Sequence, residues 1–142
     1  MEHRYYEIFA DKRRAIVEQI KSYLQSRPDI VFAYLHGSFF SGDRFRDIDI
    51  AVYLKPPVPS SLQVELDMEA KLGKKVKSYP VEVRVLNHAP LSFRYNVIRY
   101  GEPISVADDD LRCNFVESTL SHYFDFAPFR TMYLKEALGS GI

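Results

Sequence analysis

The fold depends on residues 37–49, which read GSFFSGDRFRDID. An apolar run, IVFAYL at 30–35, precedes this stretch, and DIDIAVYL at 47–54 overlaps its end. Continuous apolar runs of this length are typical of strands that are buried on both faces. The sequence therefore predicts two buried strands joined by a short polar loop, with Gly-Ser at the end of the first and Asp-x-Asp at the start of the second.

Asp47 and Asp49 are two residues apart at the start of the second strand. Because side chains alternate along a strand, both carboxylates should point to one face, while Ile48 and Ile50 point into the core. Neighbouring carboxylates repel each other at the edge of an apolar strand, and a divalent cation with oxygen ligands relieves this repulsion. Taken alone, however, the pattern is explained better by two solvated residues at a strand end.

Gly37 and Ser38 directly follow the first apolar run. A glycine at this point lets the backbone come close to a ligand, and its amide and the Ser38 hydroxyl can bind phosphate oxygens. Gly-Ser alone would indicate an ordinary turn. The combination is much more specific than Gly-Ser or Asp-x-Asp alone. It consists of a buried strand, Gly-Ser, a loop, and then Asp-x-Asp at the start of a second buried strand.

The rest of the chain alternates helical with strand patterns, which predicts an α/β domain. Ser60 and Gln63 have the spacing of a capping box, and the helix they open is expected to bury Leu62, Leu66 and Ala70 and to end near residue 73. No linker divides the chain, so residues 1–142 are expected to form a single domain. The predicted elements outside the central pair are helix 4–26, helix 60–73, strand 81–86, helix 90–101, strand 104–106 and a last helix from about 108 that Pro128 interrupts.

The composition narrows the class of function. Nineteen basic and nineteen acidic side chains give a net charge of zero, which argues against a protein that mainly coats a nucleic-acid backbone. The chain has one cysteine, no recognisable signal peptide and no apolar run of membrane-spanning length. These features predict a cytoplasmic protein without a membrane partner. Ten tyrosines and ten phenylalanines leave material for a protein interface, including a homo-oligomer.

These motifs resemble those of the polymerase-β-like nucleotidyltransferases, and among them the minimal nucleotidyltransferases (MNT). The resemblance rests on GSFFSGDRFRDIDIAV, where eight residues separate Ser38 from Asp47, fewer than in many members. It extends over most of the chain, because VEVRVLNHAPLSFRYNVIRYGEPI at 81–104 looks like the family's third strand and following helix. The resemblance implies an α+β fold with a small mixed sheet of three to four strands flanked by helices.

The resemblance also implies a site. Family members complete it with a third carboxylate, commonly aspartate, on the next strand, and Glu82 stands at that position. Asp47, Asp49 and Glu82 would then be the catalytic carboxylates and the ligands of two Mg²⁺ ions, while Gly37 and Ser38 would bind the triphosphate of ATP. A solvent-facing residue on an alternating strand is the competing interpretation of Glu82.

Small members of the family commonly act as antitoxins beside a HEPN-type ribonuclease toxin. The resemblance therefore implies transfer of AMP from ATP to an acceptor hydroxyl, with a tyrosine of such a toxin as the first hypothesis. The alternative is a catalytically impaired binding module that neutralises a partner by contact alone, which the glutamate at position 82 and the short loop keep open. Transfer to a small molecule or RNA is a third possibility.

The C-terminal part of the chain carries more large apolar side chains than one helix face can bury. We predict that residues from about 126 onward contact a protein partner or a second copy of the chain; internal packing is the competing explanation. The side chains concerned are Phe115, Tyr123, Phe124, Phe126, Phe129, Met132, Tyr133 and Leu134.

Overall fold

The computed structural model describes residues 5–42 and 44–125. None of the helices in these two ranges is both long and apolar enough to cross a membrane. The elements, in chain order, are β1 (Tyr6–Glu7), α1 (Ala10–Gln25), β2 (Ile30–His36), α2 (Ser38–Ser41), β3 (Arg44–Phe45), β4 (Ile48–Leu54), α3 (Ser61–Val76), β5 (Val81–Val85), α4 (Leu91–Tyr100), β6 (Glu102–Val106) and α5 (Asp109–Asp125).

A mixed four-stranded sheet forms the centre of the fold, with the strand order β5-β4-β2-β6. β2 is antiparallel to both of its neighbours, and β4 is parallel to β5. In this register Asp49 on β4 lies between His36 on β2 and Glu82 on β5. The predicted α+β class and the predicted mixed sheet are both confirmed.

Helices cover both faces of the sheet, and each face has its own apolar cluster. Residues of α1 and α3 pack with one set of strand side chains, including Ile48, Ile50 and Val52. Residues of α4 and α5 pack with the opposite set, including Phe32 and Ala51. β2 is buried from Ile30 to Leu35, as its continuous apolar run predicts.

The N-terminal helix is shorter than predicted. The expected helix over 4–26 begins only at Ala10, because Tyr6 and Glu7 form β1 and pair with β3. The Tyr6 ring packs 5.7 Å from the Phe45 ring and 5.0 Å from the Tyr79 ring. Pairing and ring contacts distant in sequence therefore override the local helical pattern, and they order part of the loop between Gly-Ser and Asp-x-Asp.

α3 begins where the capping box predicts, since the Ser60 hydroxyl accepts a 3.3 Å hydrogen bond from the Gln63 amide. The prediction of its buried face was wrong: Leu62 and Leu66 are 63% and 57% exposed, and Ala70 is exposed too. The helix also continues past the predicted end at residue 73. The side chains that it buries are Met68, Leu72 and Val76.

Two carboxylates of α3 fix strand β5 at the edge of the sheet. Glu69 Oε2 accepts a hydrogen bond of 2.8 Å from the Val83 amide, and Glu65 Oε2 accepts one of 2.9 Å from the Val85 amide. The outward amides of an edge strand are otherwise open to pairing with another chain. α3 therefore protects this edge and holds the strand that carries Glu82.

The last two helices close the opposite face of the sheet. α4 runs from Leu91 to Tyr100, between Pro90 and Gly101, as predicted. Aromatic contacts join the two helices, because the Tyr123 ring of α5 stacks 3.8 Å from that of Tyr95 in α4. Of the C-terminal apolar residues singled out above, Phe126, Phe129, Met132, Tyr133 and Leu134 lie outside the described residues.

Candidate functional site

The sheet brings three carboxylates together at the start of β4. Asp49 and Glu82 are register partners on neighbouring parallel strands, and Asp47 is two residues before Asp49. One oxygen of each of these three carboxylates lies within 4.8 Å of the others. Ile48 and Ile50 between them are fully buried on the other face. Alternation therefore places Asp47 and Asp49 on one face, as the sequence predicts, and the parallel register of β4 and β5 brings Glu82 alongside.

The electrostatics of this acidic group centre on Asp49. Burial raises the pKa of Asp49 to about 7, aided by a hydrogen bond with Asp47 and by the negative charges of Asp47 and Glu82, while Arg46 acts in the opposite direction. Two carboxylates share a proton in this way when their like charges are close together. A bound cation would replace that proton.

Arg84 lies beside the acidic group, where sequence reasoning had assigned it no role. Its Nη2 donates to Glu82 Oε1 at 2.7 Å, and both side chains are partly exposed. Since Arg84 is two residues after Glu82 on the same strand, the period of two would have placed both on one face. This ion pair restrains the third carboxylate, which the strand order places on the side of the site away from β2.

Gly37 allows the chain to pass close to Asp49. It has a positive φ of 76°, between the end of β2 and the start of α2. A Cβ atom on Gly37 would stand 3.1 Å from Asp49 Cγ and would collide with Oδ2. Gly37 therefore lies directly against Asp49 because it has no side chain.

Arg13 on α1 holds the far end of the same loop. Its Nη1 donates a 3.1 Å hydrogen bond to the Gly42 carbonyl oxygen, and its guanidinium lies 5.1 Å from the centre of the Phe39 ring. Arg13 and Gly42 are 29 positions apart in the chain. No local pattern in the sequence indicates such a contact, so sequence reasoning missed it.

His36 packs beside the site, opposite Asp49 in the register of β2 and β4. Its ring meets the Phe93 ring edge-on at 5.7 Å, and its Nε2 is buried without a hydrogen-bond partner among the described residues. Burial lowers the pKa of His36, and the charge of Asp47 opposes that shift. His36 is thus packed at the side of the site, against Phe93.

The donor set suits a hard divalent cation. Three carboxylates offer only oxygen ligands, which Mg²⁺, Ca²⁺ and Mn²⁺ prefer. Opposite ligands of an octahedral Mg²⁺ lie about 4.2 Å apart, from Mg–O distances of about 2.1 Å. The 4.8 Å limit that contains the three oxygens is only slightly wider, so small side-chain rotations would let all three reach one ion. The residues present therefore fit such a cation.

The mixed sheet places three carboxylates close to a Gly-Ser turn at the end of a strand. Such a site suits a divalent cation and a phosphate group, which is the chemistry of a nucleotidyltransferase. The chain belongs to the polymerase beta nucleotidyltransferase family, whose model matches residues 18–110. The matched range includes all five residues of the predicted site, which are Gly37, Ser38, Asp47, Asp49 and Glu82. No curated protein matches the chain significantly.

Solved structures with this fold include toxin–antitoxin complexes. A chain from tri-AMPylated Shewanella oneidensis HEPN toxin in complex with MNT antitoxin has a TM-score of 0.67 and 20% identity, over 89% of this chain and 98% of that one. A chain from a toxin–antitoxin structure with AMP-PNP has a TM-score of 0.67 and 22% identity, over 86% and 98%. A chain from the MntA–HepT toxin–antitoxin structure has a TM-score of 0.65 and 19% identity, over 88% and 98%. At these identities the likeness shows the fold.

Proposed function

We propose that this protein transfers AMP from ATP to a tyrosine hydroxyl of a HEPN-type toxin, with two Mg²⁺ ions, and so acts as an antitoxin in the cytoplasm. The observation that carries the proposal is the convergence of Asp47, Asp49 and Glu82 within 4.8 Å, against the Gly37 turn. Three neighbouring carboxylates, one with a pKa raised to about 7, give a cation-binding site that a protein acting only as a scaffold would not need.

Each residue has a distinct task in this proposal. The Gly37 amide and the Ser38 hydroxyl bind phosphate oxygens, in the manner of other strand-end turns. Asp47 and Asp49 would hold the cations, and Glu82 would complete the ligand set on the acceptor side. Bound Mg²⁺ would neutralise phosphate charge and favour loss of the acceptor's proton.

The reaction itself is a displacement at phosphorus. The acceptor oxygen forms a bond to the α-phosphorus, the bond from that phosphorus to the oxygen bridging to the β-phosphate breaks, and pyrophosphate leaves with the electron pair. The acceptor's proton passes to water. Positioning and charge stabilisation supply most of the catalysis in reactions of this kind.

The choice of partner rests on the similar structures. One is a complex of MNT antitoxin with a tri-AMPylated HEPN toxin, and another contains AMP-PNP. This chain covers 98% of each of those two matched chains, so it has the fold and the comparable size of proteins found in such complexes, which supports the choice of partner.

A binding module without catalysis is the second candidate. The observation that favours it is the Glu82–Arg84 ion pair of 2.7 Å, which already satisfies the third carboxylate without a cation. Such a module would neutralise the partner through contact alone.

Radiolabel transfer distinguishes these two functions. The protein would be incubated with Mg²⁺, ATP labelled at its α-phosphate, and the product of the neighbouring gene as the candidate partner. We expect label on the partner with the wild type and with the control Asp108→Asn, whose residue lies outside the site, and none with Asp47→Asn. Equal labelling by Asp47→Asn would contradict the assigned residues. A wild-type complex that forms without any labelling would favour the binding module.

A further inference from the structure

A cavity of about 270 Å³ opens at the β5 edge of the sheet, and Arg84, the ion-pair partner of Glu82, lines it. Ligand pockets of about 300–1,000 Å³ hold drug-sized molecules, so this cavity has room for a single side chain. The residues that line it come from β5, α4 and the start of α3, and include Ser61, Glu65, Arg84, His88, Pro90 and Phe93.

Two of these lining residues also contact the candidate site. Arg84 forms the 2.7 Å ion pair with Glu82, and the Phe93 ring meets the ring of His36, the register partner of Asp49. The cavity and the acidic group therefore share a wall. A side chain bound in the cavity would lie beside Arg84, whose guanidinium contacts Glu82.

The strand order determines which reactant this cavity suits. Gly37 and Ser38 follow β2, Glu82 is on β5, and β4 with its two aspartates lies between them. In phosphoryl-type transfer the attacking and leaving oxygens are roughly in line, on opposite sides of the phosphorus. If Gly37 and Ser38 bind the leaving phosphates on the β2 side, the acceptor must approach from the β5 side.

We propose that the cavity beside Arg84 is the acceptor subsite and that it takes a tyrosyl side chain. This inference rests on the proposed function, in which the cavity receives the group that becomes AMP-modified. The phenolic oxygen bonds to the α-phosphorus as the α–β phosphoanhydride bond breaks, pyrophosphate leaves with the electron pair, and the phenolic proton passes to water.

The chemistry of the lining matches a phenol. Phe93 and Pro90 offer apolar surfaces for an aromatic ring, and the Arg84 guanidinium can lie against its face. Tyrosine combines an apolar body with a polar tip, and that tip would point to Glu82. Glu65 accepts a hydrogen bond from the Val85 amide, so its carboxylate is held in place at the side of the cavity.

The test uses Phe93→Leu, with Tyr100→Leu as the matched control, since Tyr100 is an exposed aromatic residue at the other end of the same helix. N-acetyl-L-tyrosinamide serves as the acceptor probe, and Mg²⁺–ATP binding is followed by thermal shift. We expect Phe93→Leu to keep the wild-type thermal shift and kcat but to raise KM for the probe at least tenfold, with the control unchanged. His88→Trp, at an exposed lining position, should have the same effect without disturbing the core.

Further outcomes would contradict different parts of the proposal. If Mg²⁺–ATP gives the wild type no thermal shift, both the proposed function and the acceptor subsite are wrong. A normal shift without transfer to the probe, or with preferred transfer to a ribose hydroxyl of an RNA oligonucleotide, would overturn the tyrosyl acceptor alone. An unchanged KM in both variants would overturn the cavity's role, and loss of the thermal shift in Phe93→Leu would place the adenosine end of ATP there instead.

Discussion

Asp49 lies at the centre of the acidic group. Its carboxylate lies under the Gly37 backbone, shares a hydrogen bond with Asp47, and stands beside Glu82 on the next strand. Half-buried and surrounded by negative charge, it binds a proton that an ordinary aspartate would release. The same surroundings would favour a cation in place of that proton.

Asparagine at position 49 should change the pH dependence of stability. The pKa of Asp49 is about 7 in the folded protein, against an ordinary value of 3.8. Between about pH 4 and 7 the folded state therefore holds a proton that the unfolded state has lost, so this group's contribution to the free energy of unfolding falls as pH rises. In metal-free buffer, Asp49→Asn should gain stability over the wild type as pH rises from 5 to 8, measured by urea unfolding.

Asp108→Asn is the control for this pH series, because asparagine caps a helix about as well as aspartate. Its stability relative to the wild type should show no comparable rise with pH. A stability difference for Asp49→Asn that stays constant from pH 5 to 8 would contradict the shared proton.

Alanine at position 37 should damage both the backbone and the site. The φ of 76° and the proximity of the Asp49 carboxylate leave no room for a side chain. We expect Gly37→Ala to lose about 1–3 kcal/mol of stability, as strained backbone positions do, and to lose its thermal shift with Mg²⁺–ATP.

Gly73→Ala is the matched control for that substitution. A Cβ atom at Gly73, inside α3, meets no atom within 4 Å. Alanine there should raise the free energy of unfolding by about 1 kcal/mol, through helix propensity, and should leave nucleotide binding intact. Nucleotide binding by Gly37→Ala equal to that of the wild type would mean that the phosphate turn lies elsewhere.

At the scale of the element, strands were predicted more accurately than helix faces. β2 and β4 were recognisable because continuous apolar runs suit strands buried on both sides, and α4 because proline and glycine mark its two ends. α3 contains two apolar stripes at helical spacing, one with Leu62 and Leu66, the other with Met68 and Leu72. Periodicity alone does not decide which stripe faces the sheet, so the wrong one was chosen.

The residues of the candidate site were predicted from the sequence only in part. Alternation on one strand placed Asp47 and Asp49 together, and the family resemblance added Glu82, which the parallel register of β4 and β5 brings alongside. Arg13 and the cavity beside Arg84 arise from contacts between elements that are distant in sequence. Such contacts leave no periodic signal in the chain.

Strand β5 should loosen when its anchors on α3 are removed. Glu69→Ala leaves the Val83 amide at the sheet edge without its charged acceptor, and hydrogen bonds to charged groups contribute about 1.5–3 kcal/mol. Because the bond is only partly buried, we expect a loss of about 1–2 kcal/mol in urea unfolding.

Glu69→Gln keeps an acceptor oxygen and should recover part of that stability. Glu117→Ala, on the exposed side of α5, is the control and should be nearly neutral. Equal effects of Glu69→Ala and Glu117→Ala would show that the α3 carboxylate does not hold β5.

At the scale of the whole molecule, one sheet carries two apolar clusters and joins both sets of helices. We therefore propose that residues 1–142 unfold as one domain. Within the described residues, part of the aromatic excess of the C-terminal segment is accounted for by internal packing, since Tyr123 and Phe124 contact Tyr95. The role of residues 126–142 in binding a partner stays a prediction.

Truncation after Asp125 tests that prediction. The shortened protein keeps both described clusters, so it should still unfold cooperatively, while its affinity for the HEPN-type partner should fall at least tenfold. Circular dichroism melts would check the fold and calorimetry the affinity. Undiminished binding by a folded truncated protein would rule out the interface, whereas general unfolding would indicate internal packing.

The most direct test of the central claim is a thermal melt with ATP and Mg²⁺. A ligand that binds only the folded state raises the melting temperature with its concentration. We expect a saturable increase when ATP and Mg²⁺ are both present, little with ATP in EDTA, and none in Asp47→Asn. A melting temperature that does not move at millimolar ATP and Mg²⁺, in wild-type protein that is otherwise folded, would contradict a nucleotide site built from Gly37, Ser38 and the three carboxylates.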